Sequence, residues 1–353
     1  AGCKRNWIRH DDAHKRLNMG FEIGNLIVQI PGTVKAPRIM FSAHMDTVPL
    51  CRGAKPLIKG NRIIAKGKTG LGGDDRSGCA AILTLAETLL SKETQRPPIT
   101  LLFPIAEENG LHGSRMVRFN DLGNPAMGFN LDGQEPNEIV IGAMSASRWQ
   151  ANIIGISSHA GLEPQKGVSA ALIAAKAISA LSDKGYFGKI KKSNKHGTSN
   201  VGSINGGEAS NQVMDNLIIS GECRSHNQSF LEQIIRMHQK EFNHAVKTTK
   251  NSEGKYGKVI FKNESDYRAF RLKKSEPCVQ IACKAVKKIG LIPNPLVMDA
   301  GLDANNFNEK GLPTVTLGTG SHNFHQLSEY VEIDEYLQTC KVLEEIVSAS
   351  TTL

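Results

Sequence analysis

"FSAHMDTVP", residues 41–49, begins like the end of a buried strand and then does what such a strand avoids. The apolar run "RIMFSA" (38–43) leads directly into His44 and Asp46, two positions apart, so an extended chain sends both side chains to the same face. Comparable runs lie on either side: "NLIVQI" (25–30), "ITLLFPIA" (99–106) and "MGFNLD" (127–132) are short, bounded and nearly continuous in apolar character. Between them "RSGCAAILTLAETLLSKE" (76–93) spaces its apolar residues as a helix does and ends in charges. That alternation predicts an α/β fold, a central mostly parallel sheet flanked by helices. Ligands collect at the C-terminal ends of strands in such sheets, and His44 with Asp46 sits at one of those ends.

The style changes near residue 145. "WQANIIGI", "SNVGSI", "NLIISGECR" and "KVIFKNE" are separated strand-like runs, with long helical stretches near 167–183 and 228–248 among them. After "SDYRAF" the α/β style resumes, with a helix near 275–288, "NPLVM", "LPTVTLG" and a closing helix from about 334. The predicted organisation is a catalytic domain in two parts, 1–144 and 270–353, interrupted by a smaller α+β lid over 145–269, a size within the ordinary domain range. There is no internal repeat and no low-complexity segment.

Composition narrows the function classes. The chain of 353 residues has no apolar run of about 18, so no membrane span is expected. The opening "AGCKRNWIRH" has no signal-peptide core and no initiator Met, so the natural N-terminus is expected to be missing or processed. Seven cysteines are scattered without a C-x-x-C pair, which predicts reduced thiols and a cytoplasmic protein. A formal charge of +9 raises nucleic acid as a partner. Yet the densest basic stretch, "KGYFGKIKKSNKH" (184–196), has no RNA-binding aromatic motif, zinc finger or helix-turn-helix beside it and reads as a solvated face. No nucleic acid and no membrane are therefore expected as partners.

Five places offer the anionic oxygens and imidazole nitrogens that a divalent metal needs. They are His44 with Asp46; Asp74 and Asp75 in "GLGGDDRSG" (70–78); Glu107 and Glu108 in "FPIAEENG" (103–110); Asp132 in "NLDG" (130–133); and His322 and His325 in "GTGSHNFH" (318–325). Each alone has a plainer reading: a strand-end histidine is usually structural, adjacent glutamates usually face solvent, and Asp before Gly is usually a turn residue. Their recurrence around one sheet rim reverses that balance. Other chemistries fit poorly. The carboxylates of "TGLGGDD" would repel a phosphate, the stretch from "DANNFNEKG" puts Phe307 where a calcium loop needs an oxygen and Thr314 where it needs a bidentate carboxylate, and neither G-x-S-x-G nor H-E-x-x-H occurs.

Together "SAHMDTVP", "GGDDRSG", "AEENG", "NLDG" and the terminal histidine resemble the co-catalytic zinc exopeptidase family that includes aminoacylase, carboxypeptidase G and peptidase T, most of all its peptidase T (tripeptide aminopeptidase) branch. "SSHAG", "SINGGEASNQV" and "GECRSHN" resemble that family's lid, so the likeness spans nearly the whole chain. The resemblance implies His44 and Asp132 as ligands of one metal, Glu108 and His325 as ligands of the other, and Asp74 bridging both. It makes Glu107 the general base and Asp46 the carboxylate that holds the His44 ring. Asp74 is preferred to Asp75, and His325, shortly before a Glu-Tyr pair, to His322. The implied cofactor is two divalent ions, Zn2+ first, with Co2+ or Mn2+ as alternatives, and a water shared by such ions loses its proton near neutral pH. In the lid, His159 would polarise the scissile carbonyl, while Asn211 and Arg224 would bind substrate, Arg224 gripping a carboxylate with both arms. Arg224 could equally serve an internal salt bridge.

The implied activity is hydrolysis of the N-terminal peptide bond of short peptides, and the family allows a homodimer through the lid. Asp rather than Glu at position 132 leans towards aminopeptidases. Arg76 stands where relatives often have Lys, and "DAGLDANNF" (299–307) where they often have a glycine-serine-aspartate run, which affects the shape of the substrate pocket. The rival readings are a metallo-carboxypeptidase or an N-acyl amino-acid deacylase on the same scaffold and, from another class, a noncatalytic metal or nucleic-acid binding protein.

Overall fold

The computed structural model describes residues 2–92 and 94–353. Glu93, the last residue of the helix expected over 76–93, lies outside the described residues. The chain forms two compact units, the first running to Ala143 and resuming over Phe270–Leu353, the second comprising Met144–Ala269.

The first unit opens with β1 (Ile8–His10), α1 (Ala13–Leu17), β2 (Leu26–Ile30), β3 (Ile39–Ser42), β4 (Pro56–Lys59), β5 (Arg62–Ala65), α2 (Gly73–Ser91), β6 (Ile99–Phe103), α3 (His112–Met116), β7 (Met127–Gly133) and β8 (Glu138–Ala143). The second unit contains β9 (Ser145–Ile154), α4 (Ala170–Asp183), β10 (Gly188–Lys192), β11 (Lys195–Gly206), β12 (Asn216–Ser225), α5 (Gln228–Lys247) and β13 (Lys258–Tyr267). The first unit then resumes with β14 (Phe270–Arg271), α6 (Pro277–Lys288), β15 (Asn294–Met298), α7 (Asp303–Glu309), β16 (Thr314–Gly318), β17 (Ser321–His322), β18 (Tyr330–Glu332) and α8 (Ile333–Ser350).

The main sheet has the order β1-β2-β6-β3-β7-β16-β8-β14, with β15 beside β8. It is mixed rather than mostly parallel. Only β6-β3-β7-β16 and the β8–β15 pair run parallel, while β1–β2, β2–β6, β16–β8 and β8–β14 are antiparallel. Connection length explains the departure: the links 31–38 and 134–137 are shorter than the dozen or so residues a parallel crossover needs. The central strands are buried on both faces, and period-two alternation divides their side chains. Ile39, Phe41, Ile99, Leu101 and Phe103 pack with the apolar stripes of α2, α6 and α8. Met40 and Leu102 point the other way, towards Val117, Leu122, Phe307 and Leu312. In α2 the stripe is Ala81, Ile82, Leu85, Ala86 and Leu89, the spacing of one helical face. A smaller sheet, β17-β18-β5-β4, completes this unit.

The second unit is a five-stranded antiparallel sheet, β10-β11-β12-β9-β13, with a core built from Trp149, Ala151, Ile153, Ile173, Phe230 and Phe242. Its helices begin at side-chain caps: Ser169 Oγ accepts from Leu172 N–H at 3.2 Å, and Asn227 Oδ1 from Phe230 N–H at 2.9 Å. Among the described residues no helix is long and apolar enough to cross a membrane. All seven cysteines are free.

Candidate metal centre

A buried polar row fixes the register beneath the site. Ser42 donates to Asn130 Oδ1 at 2.8 Å, and Asn130 Nδ2 donates to Thr316 Oγ1 at 3.3 Å, across the parallel strands β3, β7 and β16. Two residues beyond Ser42 and Asn130 stand His44 and Asp132, which therefore emerge level with each other on the same face. The next strand, β6, is followed three residues on by Ala106, whose φ of 53° turns the chain sharply so that Glu107 and Glu108 follow at the same rim. A non-glycine residue in the left-handed region costs on the order of 1–3 kcal/mol, a strain typical of functional turns. Asp74 arrives differently, from the first turn of α2 rather than from a strand end. Its peptide with Asp75 is cis, and Gly72 before it takes a φ of +71° that favours glycine.

These side chains converge. His44 Nε2 lies 3.2 Å from Asp74 Oδ1 and 3.9 Å from both Glu107 Oε2 and Asp132 Oδ1. His325 Nε2 lies 3.1 Å from Asp74 Oδ2 and 3.0 Å from Glu108 Oε2. Potential ligand atoms of His44, Asp74 and Glu108 all fall within 4.8 Å of one another. Asp74 thus presents one oxygen to each histidine. His322 does not join them: it contacts Glu335 Oε2 at 2.6 Å and stacks on Tyr330. Asp75 is buried behind the rim, where its Oδ1 accepts from Gly78 N–H at 3.2 Å.

Asp46 holds His44 in an unexpected way. The His44 Nδ1–H donates to the backbone carbonyl of Asp46 at 3.0 Å, while the nearest approach to its carboxylate is 3.7 Å. That carboxylate accepts instead from the backbone N–H groups of Glu107 at 3.1 Å and Glu108 at 3.2 Å. Two residues along a strand are too far apart for an easy ring-to-carboxylate bond, but the intervening carbonyl is within reach. The expected carboxylate clamp on the ring is therefore a carbonyl clamp, and Asp46 fixes the glutamate turn.

Electrostatics test whether the donor set suits metal. With Nδ1 committed as a donor, neutral His44 turns a bare Nε2 towards carboxylate oxygens that also carry only lone pairs. A proton or a cation must lie between them. Burial opposes charging His44, yet the Asp74 contact and the charges of Asp132, Glu107 and Asp75 raise its pKa well above the ordinary imidazole value. His325 is pushed up to about 10 by Asp74 and Glu108. Burial drives Glu107, Asp132 and Asp75 well above the usual carboxylate range, with neighbouring carboxylates adding to the effect, while Asp303 reaches about 6. Burial also works against ionisation of Asp74, but His325 and His44 hold it low. Carboxylates crowd around two imidazoles at low dielectric, and mixed nitrogen and oxygen donors of this kind fit zinc or another borderline divalent cation.

The second unit carries the remaining candidates. His159 is exposed, and its Nδ1 accepts from the N–H groups of Gly161 and Leu162, both at 3.1 Å, which leaves the neutral ring's proton on Nε2. Asn211 is exposed, and its backbone carbonyl accepts from Ala160 N–H at 2.9 Å. Arg224 is engaged by Glu222 through Nε–Oε1 at 2.9 Å and Nη2–Oε2 at 3.1 Å, the internal salt bridge that was its alternative reading.

Three supporting residues escape a reading based on ligands. Glu329, buried, accepts from the N–H groups of Gly72 at 2.7 Å and Asp74 at 3.0 Å. Asn25 accepts from Ile105 N–H at 3.0 Å and donates to Gly113 O at 3.0 Å, bracketing the turn that carries the two glutamates. Asp303 is buried in the first turn of α7. The available signals were slight: an acidic residue shortly after His325, and an aspartate flanked by Leu302 and Ala304.

A family model described as Peptidase family M20/M25/M40 matches residues 40–349. An uncharacterized protein of Bacillus subtilis (strain 168), YqjE, is 31% identical over 341 residues, covering 96% of this chain and 88% of that protein. Among solved structures, the aminopeptidase PepT from Bacillus cereus ATCC 10987 aligns with a TM-score of 0.84 at 31% identity, covering 98% of this chain and 89% of that one. A tripeptidase from Staphylococcus aureus subsp. aureus Mu50 aligns with a TM-score of 0.87 at 29% identity and the same coverage of 98% and 89%.

Proposed function

The chain belongs to peptidase family M20/M25/M40, and from that premise we propose that it is a dinuclear metal-dependent exopeptidase that releases the N-terminal residue of short peptides. The observation that carries this reading is the pair of histidines facing opposite oxygens of Asp74, at 3.2 and 3.1 Å. His44 and Asp132 would hold one divalent ion, Glu108 and His325 the other, and Asp74 would contact both. The ions, most suitably zinc, would supply Lewis acidity and lower the pKa of a bound water towards about 7.

The remaining steps belong to side chains. Glu107 takes a proton from the attacking water at its carboxylate and then delivers it to the leaving amine, a contribution of about 10²- to 10⁴-fold. Asp46 holds the backbone of Glu107 and so aims that carboxylate. His159, with its proton on Nε2, is suited to donate to the carbonyl oxygen of the scissile bond, and Asn211 to bind substrate. Arg224 can grip a peptide carboxylate only by leaving Glu222. Similarity to an aminopeptidase and a tripeptidase favours free peptides over acylated amino acids.

The test combines metal analysis with a panel of free tripeptides and N-acetylated amino acids. Two metals per chain and tripeptide cleavage are expected. Activity on acylated substrates alone would replace the aminopeptidase reading with a deacylase, and full activity of metal-free protein would reject the mechanism.

A further inference from the structure

Glu329 has no ligand role, yet the turn carrying Asp74 is built around it. Its side chain is 2% exposed, and each oxygen is spent on a backbone donor: Oε2 accepts from Gly72 N–H at 2.7 Å, Oε1 from Asp74 N–H at 3.0 Å. The Cys51 thiol lies 3.6 Å from Oε2. Hydrogen bonds from N–H to an ionised carboxylate are about twice as strong as neutral ones. Close packing around that carboxylate accounts for two glycines of the turn. A Cβ at Gly70 would come within 2.8 Å of Cys51 Sγ and 3.2 Å of Glu329 Oε2, and one at Gly73 within 2.7 Å of Ser321 Oγ. The glycines of "GLGG" let backbone reach the carboxylate at distances a side chain would prevent.

Glu329 is itself anchored on both sides. The next residue, Tyr330, pairs with Ile64 at the start of β18, and Glu329 N–H donates to Gln326 O at 3.2 Å within the loop that carries His325. One carboxylate therefore ties the backbone of Asp74 to the segment that presents His325, and these are the two sides of the 3.1 Å contact between Asp74 and His325.

We propose that Glu329 is a positioning residue of the metal centre, setting Asp74 against His325 through the Gly72 and Asp74 amides. It rests on the dinuclear reading above. Glu329→Gln places an amide group opposite one of those N–H donors and breaks one clamp bond, while Glu329→Asp keeps the charge on a shorter arm.

Zinc affinity by chelator competition, together with the Co(II) absorption spectrum, reads the effect directly. Removing supporting contacts of this kind typically costs 10- to 100-fold in metal affinity. E329Q is expected to show such a loss with an altered Co(II) spectrum, E329D to recover part of it, and E329Q added to Asp74→Asn to cause little further loss. Unchanged affinity in folded E329Q, or an equal loss in the Asp74→Asn background, overturns the proposal. If E329Q does not fold, amide exchange of metal-free wild type decides: Gly72 and Asp74 should exchange slowly, and rapid exchange overturns the proposal. Wild-type protein that binds no metal would reject the dinuclear reading itself, whereas wild type and E329Q binding two metals equally well would reject only the role of Glu329.

Discussion

His44 in the first unit and His238 in the second are both buried imidazoles, and each donates Nδ1–H to a backbone carbonyl, of Asp46 at 3.0 Å and of Ile234 at 2.9 Å. They differ at the other nitrogen. His238 Nε2 accepts from the Ser199 hydroxyl at 2.7 Å, so donor and acceptor match and the neutral ring is complete. His44 Nε2 meets only carboxylate oxygens, of Asp74, Glu107 and Asp132. Their pKa values move in opposite directions for that reason. Burial lowers His238, only partly offset by the Ile234 bond, whereas the carboxylates around His44 overcome burial and raise it. Burial alone does not distinguish a structural histidine from a ligand. The pairing at its second nitrogen does.

Metal removal strikes at the centre of that contrast and carries the largest expected effect. Chelation should abolish hydrolysis, and zinc, cobalt or manganese should restore it. Amide exchange should quicken around His44 while staying unchanged around Ser199 and His238. Quickening at both histidines would erase the distinction between them.

Glu107→Gln comes next. It replaces the proton acceptor with a group of the same shape, so kcat should fall by about 10²- to 10⁴-fold while metal content stays at the wild-type level. Turnover measured beside elemental analysis checks both halves, and normal turnover would remove the general-base role.

Asp46→Asn should have a smaller effect that separates two ways of supporting the site. Its carboxylate receives the Glu107 and Glu108 N–H groups, and an amide can accept only one of them well. Losing one charge-assisted bond, worth about 1.5–3 kcal/mol, lowers kcat by roughly 10- to 100-fold. Because a carbonyl holds the His44 ring, zinc affinity should fall much less than kcat. An equal fall in zinc affinity would return the carboxylate to the ring.

Much of this arrangement was legible in the residues. Strand tips announce themselves where apolar runs end in His44, Glu107 or Asp132, because no buried strand gains from carrying such groups outward. Three features were not legible. The antiparallel flanks of the main sheet depend on which strands pair, and β16 (Thr314–Gly318) enters between β7 and β8 (ending at Ala143) from far downstream. Asp46 reads as the partner of the ring because spacing gives direction but not reach, and the carbonyl between them is invisible in a list of side chains. Glu329, legible only as half of the Glu-Tyr pair after His325, shows no role in the sequence since its partners are backbone N–H groups, which any sequence supplies at almost every position.

The second unit offers the smallest and most exacting test, through pH. His238 is held below the ordinary imidazole value in the folded protein, while in the unfolded chain it titrates near 6.5. The unfolded state therefore binds more protons as pH falls past about 6.5, and stability falls with it, by at most about 1.4 kcal/mol per pH unit for one group. The contribution is fully present above 6.5 and is lost as pH drops through the lowered folded value. Urea unfolding followed by the fluorescence of Trp149, which packs 5.1 Å from the His238 ring, should give midpoints that decline from pH 7 to pH 5. His238→Gln should be less stable at pH 7 and should flatten that decline. A decline of the same slope in the variant would assign the acid sensitivity to other groups and leave His238 merely buried. A flattened slope would show that the imidazole is kept neutral by its partners, the condition that the carboxylates around His44 reverse.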